Sequence, residues 1–287
     1  MHHAPHATEI GHYENFPVAS ILCPPHLRAP IAAIYHFART ADDIADEGPS
    51  NSEARLQALG DYRVQLHLAA NDQTPPETFD ARWRPQFTNL QHAIAAYKLP
   101  INLLDDLLDA FVQDVEKTRD AEGYASDSEL MAYCARSANP VGRLLLQLYG
   151  IQDAVSLSQS DAICTALQLI NFWQDPSVDI PRGRYYFTRE MMAGSGVDVS
   201  VVQARHQTPQ ATRMIRQCVQ SALALMLQGA PLVHRVSGRA GWELRLVVQG
   251  GLRILDKIES MNFATLNARP KLYTRDYVVL FWRALWM

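Results

Sequence analysis

Aspartates spaced at helical intervals are the residues of this sequence best suited to chemistry. In the stretch 33–47, four polar residues recur at intervals of four, three and four, so they line one face of a helix: Tyr35, Arg39, Asp42 and Asp46. An apolar stripe runs beside them and can seat the helix in a core: Ile34, Phe37, Ala41 and Ile44. The polar stripe is therefore predicted to face a cavity.

A second polar stripe lies in the stretch 168–179, with intervals of three, four and four: Gln168, Asn171, Asp175 and Asp179. If the two stripes face each other, carboxylates about 6 Å apart repel by roughly 3 kcal/mol per pair at an effective dielectric constant of about 20. Such a cavity needs a cation, and oxygen ligands that leave coordination positions open suit Mg²⁺. A lone stripe is more often a solvated helix face, but two of them favour a metal site.

The composition excludes several classes of protein. The chain has 287 residues, 48% of them hydrophobic, which is ample for a buried core in one large or two small domains. A formal charge of -4 gives no sign of a nucleic-acid binder. Four scattered cysteines predict reduced thiols in a cytoplasmic protein rather than a disulfide frame or a zinc site: Cys23, Cys134, Cys164 and Cys218.

The remaining chain reads as helices separated by proline-rich and glycine-rich turns. After a loose N-terminus at 1–12, helices are predicted at 33–47, 52–70, 83–97, 101–116, 128–150, 160–179, 209–236, 239–266 and from Thr274 onward. Pro140 is expected to kink the fifth helix and Pro176 to bend the sixth. No strand pattern appears, so the fold class is all-α, with residues 1–287 in a single domain around one cavity. A GxGxxG turn after a strand is also missing, so no nicotinamide cofactor is expected.

Two stretches allow more than one interpretation. Asp105, Asp106 and Asp109 form another acidic string, but they lie in the first turns of a helix, where negative charge suits the helix dipole, and are predicted to be surface charges. Asp114, deeper in the same helix, stays a candidate for the cavity. Ala138 and Gly142 flank Pro140, and such small residues either admit a bulky ligand or let helices pack closely.

Three motifs carry a resemblance to a known family. AIYHFARTADDIAD, YCARSANPVG and NFWQDPSVDIPRGRYYF resemble the squalene/phytoene synthase family, over residues 12–271. The lead-in YENFPVAS, the ANPVG string and the closing RPKLYTRDY are most similar to the bacterial hydroxysqualene synthase branch of the hopanoid pathway. The resemblance implies a class I isoprenoid synthase fold, with helices around a central cavity and Mg²⁺ ions that grip a prenyl diphosphate.

The resemblance also implies roles for individual residues. Matched by motif position, the metal ligands are Asp42, Asp43, Asp46, Asn171, Asp175 and Asp179. The expected substrate contacts are His12, Asn15, Tyr35, Arg39, Tyr133, Gln168 and Asn171, and the expected catalytic group consists of Tyr35, Arg39 and the aspartates 42, 46, 175 and 179. Arg184, in a basic turn with Arg182, and Lys271 are further candidates for diphosphate contact.

The implied reaction is the Mg²⁺-dependent ionisation of presqualene diphosphate, followed by rearrangement of the carbocation and capture of water to give hydroxysqualene. The alternative on the same scaffold is a head-to-head prenyl transferase that makes presqualene diphosphate, squalene or phytoene. Gln174, where such relatives place arginine, and the ANPVG string argue against it. A more distant alternative is a non-catalytic assembly factor, which the intact aspartates disfavour. Contact with other enzymes of the squalene pathway is also expected.

The C-terminal stretch 276–287 is rich in apolar and aromatic residues. Phe281, Trp282, Leu285 and Trp286 lie near Arg283, a composition that suits a helix in a membrane interface, and the stretch is too short to cross a bilayer. A terminal helix of this kind can equally pack on the core. The sequence therefore predicts either peripheral contact with the inner face of the plasma membrane or a buried closing helix.

Overall fold

The computed structural model describes residues 23–73, 76 and 80–287, and these residues form helices and no strands. The α-helices of this part of the chain are α1 Arg28–Asp46, α2 Ser52–Ala70, α3 Arg84–Tyr97, α4 Ile101–Asp120, α5 Asp127–Ser137, α6 Asn139–Leu148, α7 Ala154–Gln174, α8 Pro176–Asp179, α9 Arg189–Ser195, α10 Val199–Gln203, α11 Pro209–Gly229, α12 Gly238–Ser260 and α13 Thr274–Leu285. Single 3₁₀ turns span Pro25–Leu27, Ala81–Trp83, Ile180–Arg182 and Ala230–His234. The all-α prediction is confirmed.

Helix α1 seats its apolar stripe in a core formed with α2, α3 and α4. Ile34, Phe37 and Ala41 are buried. The Phe37 ring stacks on Tyr62 of α2 with ring centroids 5.2 Å apart, and the Tyr62 hydroxyl donates to the Phe37 carbonyl oxygen at 3.2 Å. This packing confirms the apolar stripe and fixes the rotation of α1, which leaves the acidic stripe on the helix face away from this core.

Helix α7 runs through a second core and packs against α5, α6, α11 and α12. It begins earlier than predicted, at Ala154, because the Asp153 side chain accepts a hydrogen bond from the Ser156 amide and caps the helix. Leu169, Ile170 and Trp173 are among its buried residues. This burial holds the end of α7, and with it the second acidic stripe, in a defined position.

Two predicted bends are helix breaks in the structure. The helix predicted at 128–150 ends at Ser137, and Ala138 separates α5 from α6, whose first turn contains Pro140. The helix predicted at 160–179 ends at Gln174, and Asp175 separates α7 from the single turn α8, which starts at Pro176. Asp175 directly precedes Pro176 and leaves helical geometry, as a residue before proline tends to do. Pro140 is the second residue of α6, a position at the start of a helix where its missing amide donor costs no hydrogen bond.

Helices α6 and α7 approach each other closely at Gly142. A β-carbon on Gly142 would lie 2.3 Å from Ser160 Oγ and 2.6 Å from Cys164 Sγ. Of the two interpretations of this small residue, close helix packing is therefore the one that the structure supports. Helix α6 also contributes to both cores, with Leu144 in the core of α1 to α4 and Leu146 in the core around α7. The extent of a single domain over 1–287 stays a prediction.

Candidate active site

Arg184 brings the two acidic stripes together. After the 3₁₀ turn, Gly183 adopts a left-handed conformation (φ 78°), which glycine can adopt without strain. The Arg184 amide donates to the Asp179 carbonyl oxygen at 3.0 Å and closes the turn. This turn directs the Arg184 guanidinium to the Asp46 carboxylate on α1, with which it forms an ion pair. The end of α1 and the short helix α8 therefore lie on opposite sides of one site.

The first acidic stripe is held by Arg39. Its guanidinium lies 3.1 Å from Asp42, 2.5 Å from Asp43 and 2.9 Å from Glu47. Burial raises the pKa of Asp42 to about 6, and the neighbouring carboxylates of Asp46 and Asp43 add to this effect while Arg39 opposes it. Burial likewise raises the pKa of Asp43. Arg39 alone therefore does not neutralise the negative charge of this stripe.

The second acidic pair has its own arginine, Arg269, from the segment before α13. Arg269 Nε lies 2.7 Å from Asp175 Oδ1. Burial raises the pKa of Asp175, although Arg269, Arg182 and Lys271 lower it by their charges. Burial raises the pKa of Asp179 to about 7, and the charge of Asp175 contributes to that rise. Lys271 is exposed and close enough to act on Asp175 electrostatically.

Gln174 fixes the position of that segment. The side chain is 1% exposed, and its Nε2 donates to the Pro270 carbonyl oxygen at 2.8 Å. The consecutive residues Gln174 and Asp175 therefore hold the consecutive residues Pro270 and Arg269. This double contact places the cations of the segment 269–271 beside the second acidic pair.

Asp114 of α4 belongs to the same site, although only a candidate role was predicted for it. The Tyr133 hydroxyl donates to Asp114 Oδ2 at 2.8 Å. Burial raises the pKa of Asp114 to about 7, with contributions from the charges of Asp42 and Asp46, while the Tyr133 hydrogen bond and Arg184 lower it. The signal for this role in the sequence is an aspartate placed among the apolar residues Phe111, Val112 and Val115.

Aromatic side chains form a wall next to this carboxylate. The Phe172 and Tyr186 rings are stacked with centroids 3.7 Å apart, and the Tyr133 ring lies 6.1 Å from Phe172 and 5.5 Å from Tyr124. Phe172, Tyr124 and Tyr186 were not predicted as site residues. Their contribution depends on α5, α7 and the chain after α8 meeting, which no local pattern encodes.

Three further predicted residues, Tyr35, Gln168 and Asn171, lie on α1 and α7 before the aspartates of the two stripes. Tyr35 is partly buried on α1, one turn before Arg39. Gln168 is partly buried and Asn171 exposed, and both lie on α7 before Asp175. His12 and Asn15 fall outside the described residues, as does the N-terminal stretch 1–12.

The competing acidic string on α4 has partners elsewhere. Asp109 pairs with Arg63 at 2.5 Å, and Asp105 lies 3.1 Å from His67, both on α2. Asp109 also borders a cleft of about 630 Å³ between α4 and α5, which none of the aspartates of the two stripes lines. These contacts agree with the predicted surface role.

The donor set of the site suits Mg²⁺. Among residues 23–73, 76 and 80–287, no three carboxylate, imidazole or thiolate side chains converge as a ready metal site, and arginines contact Asp42, Asp46 and Asp175. Carboxylate oxygens are nevertheless the ligands that Mg²⁺ prefers. The raised pKa values of Asp42 and Asp179 indicate that added positive charge is favourable there.

Comparison with known proteins gives a consistent picture. The squalene/phytoene synthase family model matches residues 11–276. Hydroxysqualene synthase of Rhodopseudomonas palustris is 30% identical, with 93% of this chain and 86% of the relative covered. Hydroxysqualene synthase of Sinorhizobium fredii is 32% identical, with 90% and 82% covered.

The crystal structure of squalene synthase HpnC from Alicyclobacillus acidocaldarius superposes with a TM-score of 0.78 at 34% identity, with 88% of this chain and 90% of that one covered. Relatives with other names also match. Phytoene synthase of Rhodobacter capsulatus is 28% identical over 73% of this chain and 57% of its own length, and presqualene diphosphate synthase of Zymomonas mobilis is 28% identical over 66% and 61%. The fold is thus the predicted class I isoprenoid synthase fold.

Proposed function

Because this chain belongs to the squalene/phytoene synthase family, whose members process prenyl diphosphates, we propose that it ionises presqualene diphosphate and releases diphosphate and hydroxysqualene. The observation that carries the proposal is the meeting of two acidic pairs, on α1 and at α8, across the Arg184 guanidinium. The names of the relatives at 30–34% identity favour this reaction over others of the family.

The two acidic pairs would hold Mg²⁺ through Asp42, Asp46, Asp175 and Asp179, with Asp43 and Asn171 assisting. Bound there, Mg²⁺ would neutralise the negative charge that develops on the leaving diphosphate. The cations Arg39, Arg184 and Lys271 lie on or beside the same carboxylates and are suited to bind phosphate oxygens, in the case of the guanidinium groups in a bidentate manner.

The aromatic wall would serve the second half of the reaction. A carbocation left by ionisation is stabilised by the faces of aromatic rings, which the Phe172, Tyr186 and Tyr133 side chains supply. The Tyr133 hydroxyl and the Asp114 carboxyl are polar groups next to these rings. We therefore propose that they bind and orient the water molecule that captures the carbocation. Rearrangement and capture need no hydride, which is consistent with the expected lack of a nicotinamide cofactor.

The second candidate function is head-to-head condensation of two prenyl diphosphates. The matches to a phytoene synthase and a presqualene diphosphate synthase support it, because the same acidic pairs would serve that reaction. Both candidates place the reaction in the cytoplasm. Both also use long-chain prenyl lipids, which favours peripheral contact with the membrane and with the enzymes that make and consume them.

A product assay separates the candidates. The purified protein is incubated with Mg²⁺ and, in separate reactions, presqualene, farnesyl or geranylgeranyl diphosphate, and the lipid product is identified by mass spectrometry. We expect hydroxysqualene from presqualene diphosphate, and no product after chelation with EDTA. Presqualene diphosphate from farnesyl diphosphate, squalene in a parallel reaction with NADPH added as the hydride donor, or phytoene from geranylgeranyl diphosphate would support the second candidate. No product from any of them with folded protein would contradict both.

A further inference from the structure

Helix α13 has one face in the core and one apolar face in solvent. Asp276, Leu280 and Ala284 lie on the inner face and are buried. The outer face consists of two adjacent rows of side chains that are each 49–77% exposed: Tyr277, Val278, Phe281, Trp282, Leu285 and Trp286. Isolated exposed apolar residues are common on proteins, but five on one twelve-residue helix and a sixth, Trp286, directly after its end form a continuous patch that needs a partner.

The structure holds this apolar face firmly in place. The buried Asp276 carboxylate forms ion pairs at 2.8 Å with both Arg253 and Lys257 of α12 and accepts from the Tyr273 amide at 2.7 Å. At the other end, Arg245 of α12 donates to the backbone oxygens of Ala284 and Met287. Helix α13 is therefore docked on α12 and presents its outer face as a built surface.

The charges of the segment that contains this face, residues 269–287, are mainly positive. From residue 269 to the end, the chain contains four cations and one acid, and that acid, Asp276, is fully buried and paired. Lys271 and Arg275 are exposed, and Arg283 bonds Asp256 at 2.7 Å. An apolar aromatic face with a basic rim is complementary to a partner that has an apolar interior and negatively charged groups at its surface.

We propose that the outer face of α13 binds the surface of a bilayer that contains anionic lipids. Tryptophan side chains favour the boundary between headgroups and acyl chains, and nearby arginine and lysine are attracted by anionic headgroups. A helix of twelve residues is about 18 Å long, too short for a hydrocarbon core of about 30 Å, so it lies in the interface. No helix of the described ranges has the length and hydropathy of a membrane span.

A second copy of the chain fits this face less well than a lipid surface does. The exposed charges on α13 itself are arginines, Arg275 and Arg283; Arg283 is already paired with Asp256 of α12, and no exposed acid of α13 is available to Arg275. Self-association through a two-fold axis would bring the same face of two copies together and oppose cation to cation. A bilayer with anionic headgroups has no such conflict.

If the proposed function holds, the membrane contact serves substrate entry. The contact itself does not depend on the proposed function. The segment that leads into α13 carries Arg269, which contacts Asp175, and Lys271. The membrane face and the acidic site are therefore connected by a few residues of chain. Contact of α13 with a bilayer would therefore hold the acidic site close to the membrane in which a prenyl diphosphate dissolves.

Flotation of the full-length protein with liposomes tests the contact directly. Two liposome types are used, phosphatidylcholine alone and phosphatidylcholine with phosphatidylglycerol. The test variant is Phe281→Ser/Trp282→Ser/Trp286→Ser, and the matched control Val155→Ser/Val199→Ser/Leu227→Ser removes three apolar side chains that are 48–55% exposed on other helices. Circular dichroism confirms the fold of each, and light scattering gives its mass in solution.

We expect the wild type and the control to float with the anionic liposomes, the wild type to float less with phosphatidylcholine alone, and the test variant to bind at least tenfold more weakly. Arg275→Glu should weaken flotation on anionic liposomes only. Equal flotation of the test variant and the wild type would overturn the proposal, as would no flotation by the folded wild type. A dimer that the test variant loses, without flotation, would assign the face to a second copy instead. Because flotation needs no substrate, this result is independent of the product assay.

Discussion

Arg184 and Asp46 are 138 positions apart in the chain, yet their ion pair defines the candidate active site. Around it, buried carboxylates are paired with arginines that also suit phosphate, so the site carries both its acids and its cations before any ligand is bound. At the scale of the residue, each aspartate can therefore be tested for a role in the reaction separately from a role in the fold.

We predict that Asp42→Asn or Asp175→Asn lowers turnover by about a hundredfold or more at saturating Mg²⁺, because each change removes a carboxylate proposed to hold the metal. Asp42→Asn should not lower the melting temperature much, since it removes a charge that the neighbouring carboxylates of Asp46 and Asp43 disfavour. Asp175→Asn should also stay folded, because the amide oxygen can still accept from Arg269 and the charge that raises the pKa of Asp179 is removed. Turnover of presqualene diphosphate over a range of Mg²⁺ concentrations and thermal unfolding measure the two effects.

The control for these variants is the other acidic string. Asp105→Asn together with Asp109→Asn should leave turnover within a few-fold, because these aspartates pair with His67 and Arg63 of α2. Loss of these partly exposed pairs should cost at most about 1 kcal/mol each. A fall in turnover as large as that of Asp42→Asn would show that this string belongs to the active site.

At the scale of the helix, prolines and glycines decide how the elements meet. Pro140 and Pro176 end one helix and begin the next, and the second of these breaks places Asp175 at a joint from which it contacts Arg269. Gly142 lets α6 approach α7, and α6 in turn connects the two hydrophobic cores. The ANPVG part of the YCARSANPVG motif, residues 138–142, is therefore explained largely by packing.

We predict that Gly142→Ala destabilises the protein by about 1–3 kcal/mol, because its new β-carbon would overlap Ser160 and Cys164. The matched control is Gly60→Ala in α2, where no atom lies within 4 Å of the added carbon. That change should be neutral or stabilise by up to about 1 kcal/mol, since alanine favours helix. Chemical denaturation measures both, and a Gly142→Ala protein as stable as the wild type would contradict the packing argument.

At the scale of the whole molecule, the acidic site lies where the two cores meet. Asp42 and Asp46 belong to α1 of the first core, Asp114 to α4, and Asp179 and Arg184 to the chain that follows α7 of the second. Folding therefore brings carboxylates from separate elements close together. Forming the site therefore lowers the stability of the fold, because these carboxylates are buried and repel one another.

This arrangement predicts a pH dependence of stability without Mg²⁺. Asp114 and Asp179 have pKa values of about 7 when folded, so between pH 4 and pH 7 the folded chain keeps protons that the unfolded chain has released. Stability should fall as pH rises through this range and then level off. Melting temperatures in EDTA at pH 5 and pH 8 test this.

Asp114→Asn should reduce the loss of stability between pH 5 and pH 8, because asparagine removes the titrating group and can still accept the Tyr133 hydrogen bond. Asp198→Asn is the control, since that carboxylate caps α10 at the surface and hydrogen bonds to Ser200 hold its pKa below the usual range. If Asp114→Asn and the wild type lose equal stability over this range, Asp114 does not contribute to it.

Local properties of the chain were predictable from the sequence because they depend on neighbours within a few residues. The bounds of α2, the start of α13 and the apolar stripe of α1 agree with the predictions from side-chain period and capping residues. The spacing of polar residues indicated the two acidic stripes, and the family motifs indicated the fold. The helix breaks at Ala138 and Asp175 were not predicted, because a proline in a helical pattern is compatible both with a kinked helix and with two separate helices.

Only the tertiary structure decided which of these faces meet. Asp114 joins the acidic site while Asp109, five residues earlier on α4, pairs with Arg63 of α2, because the two aspartates point to different sides of the same helix. The pairing of Asp46 with Arg184, the close approach at Gly142 and the division of α13 into a buried and an exposed face follow likewise from packing across the chain. A sequence states the pattern of each helix surface, but the partner of that surface is selected by the free energy of the whole fold.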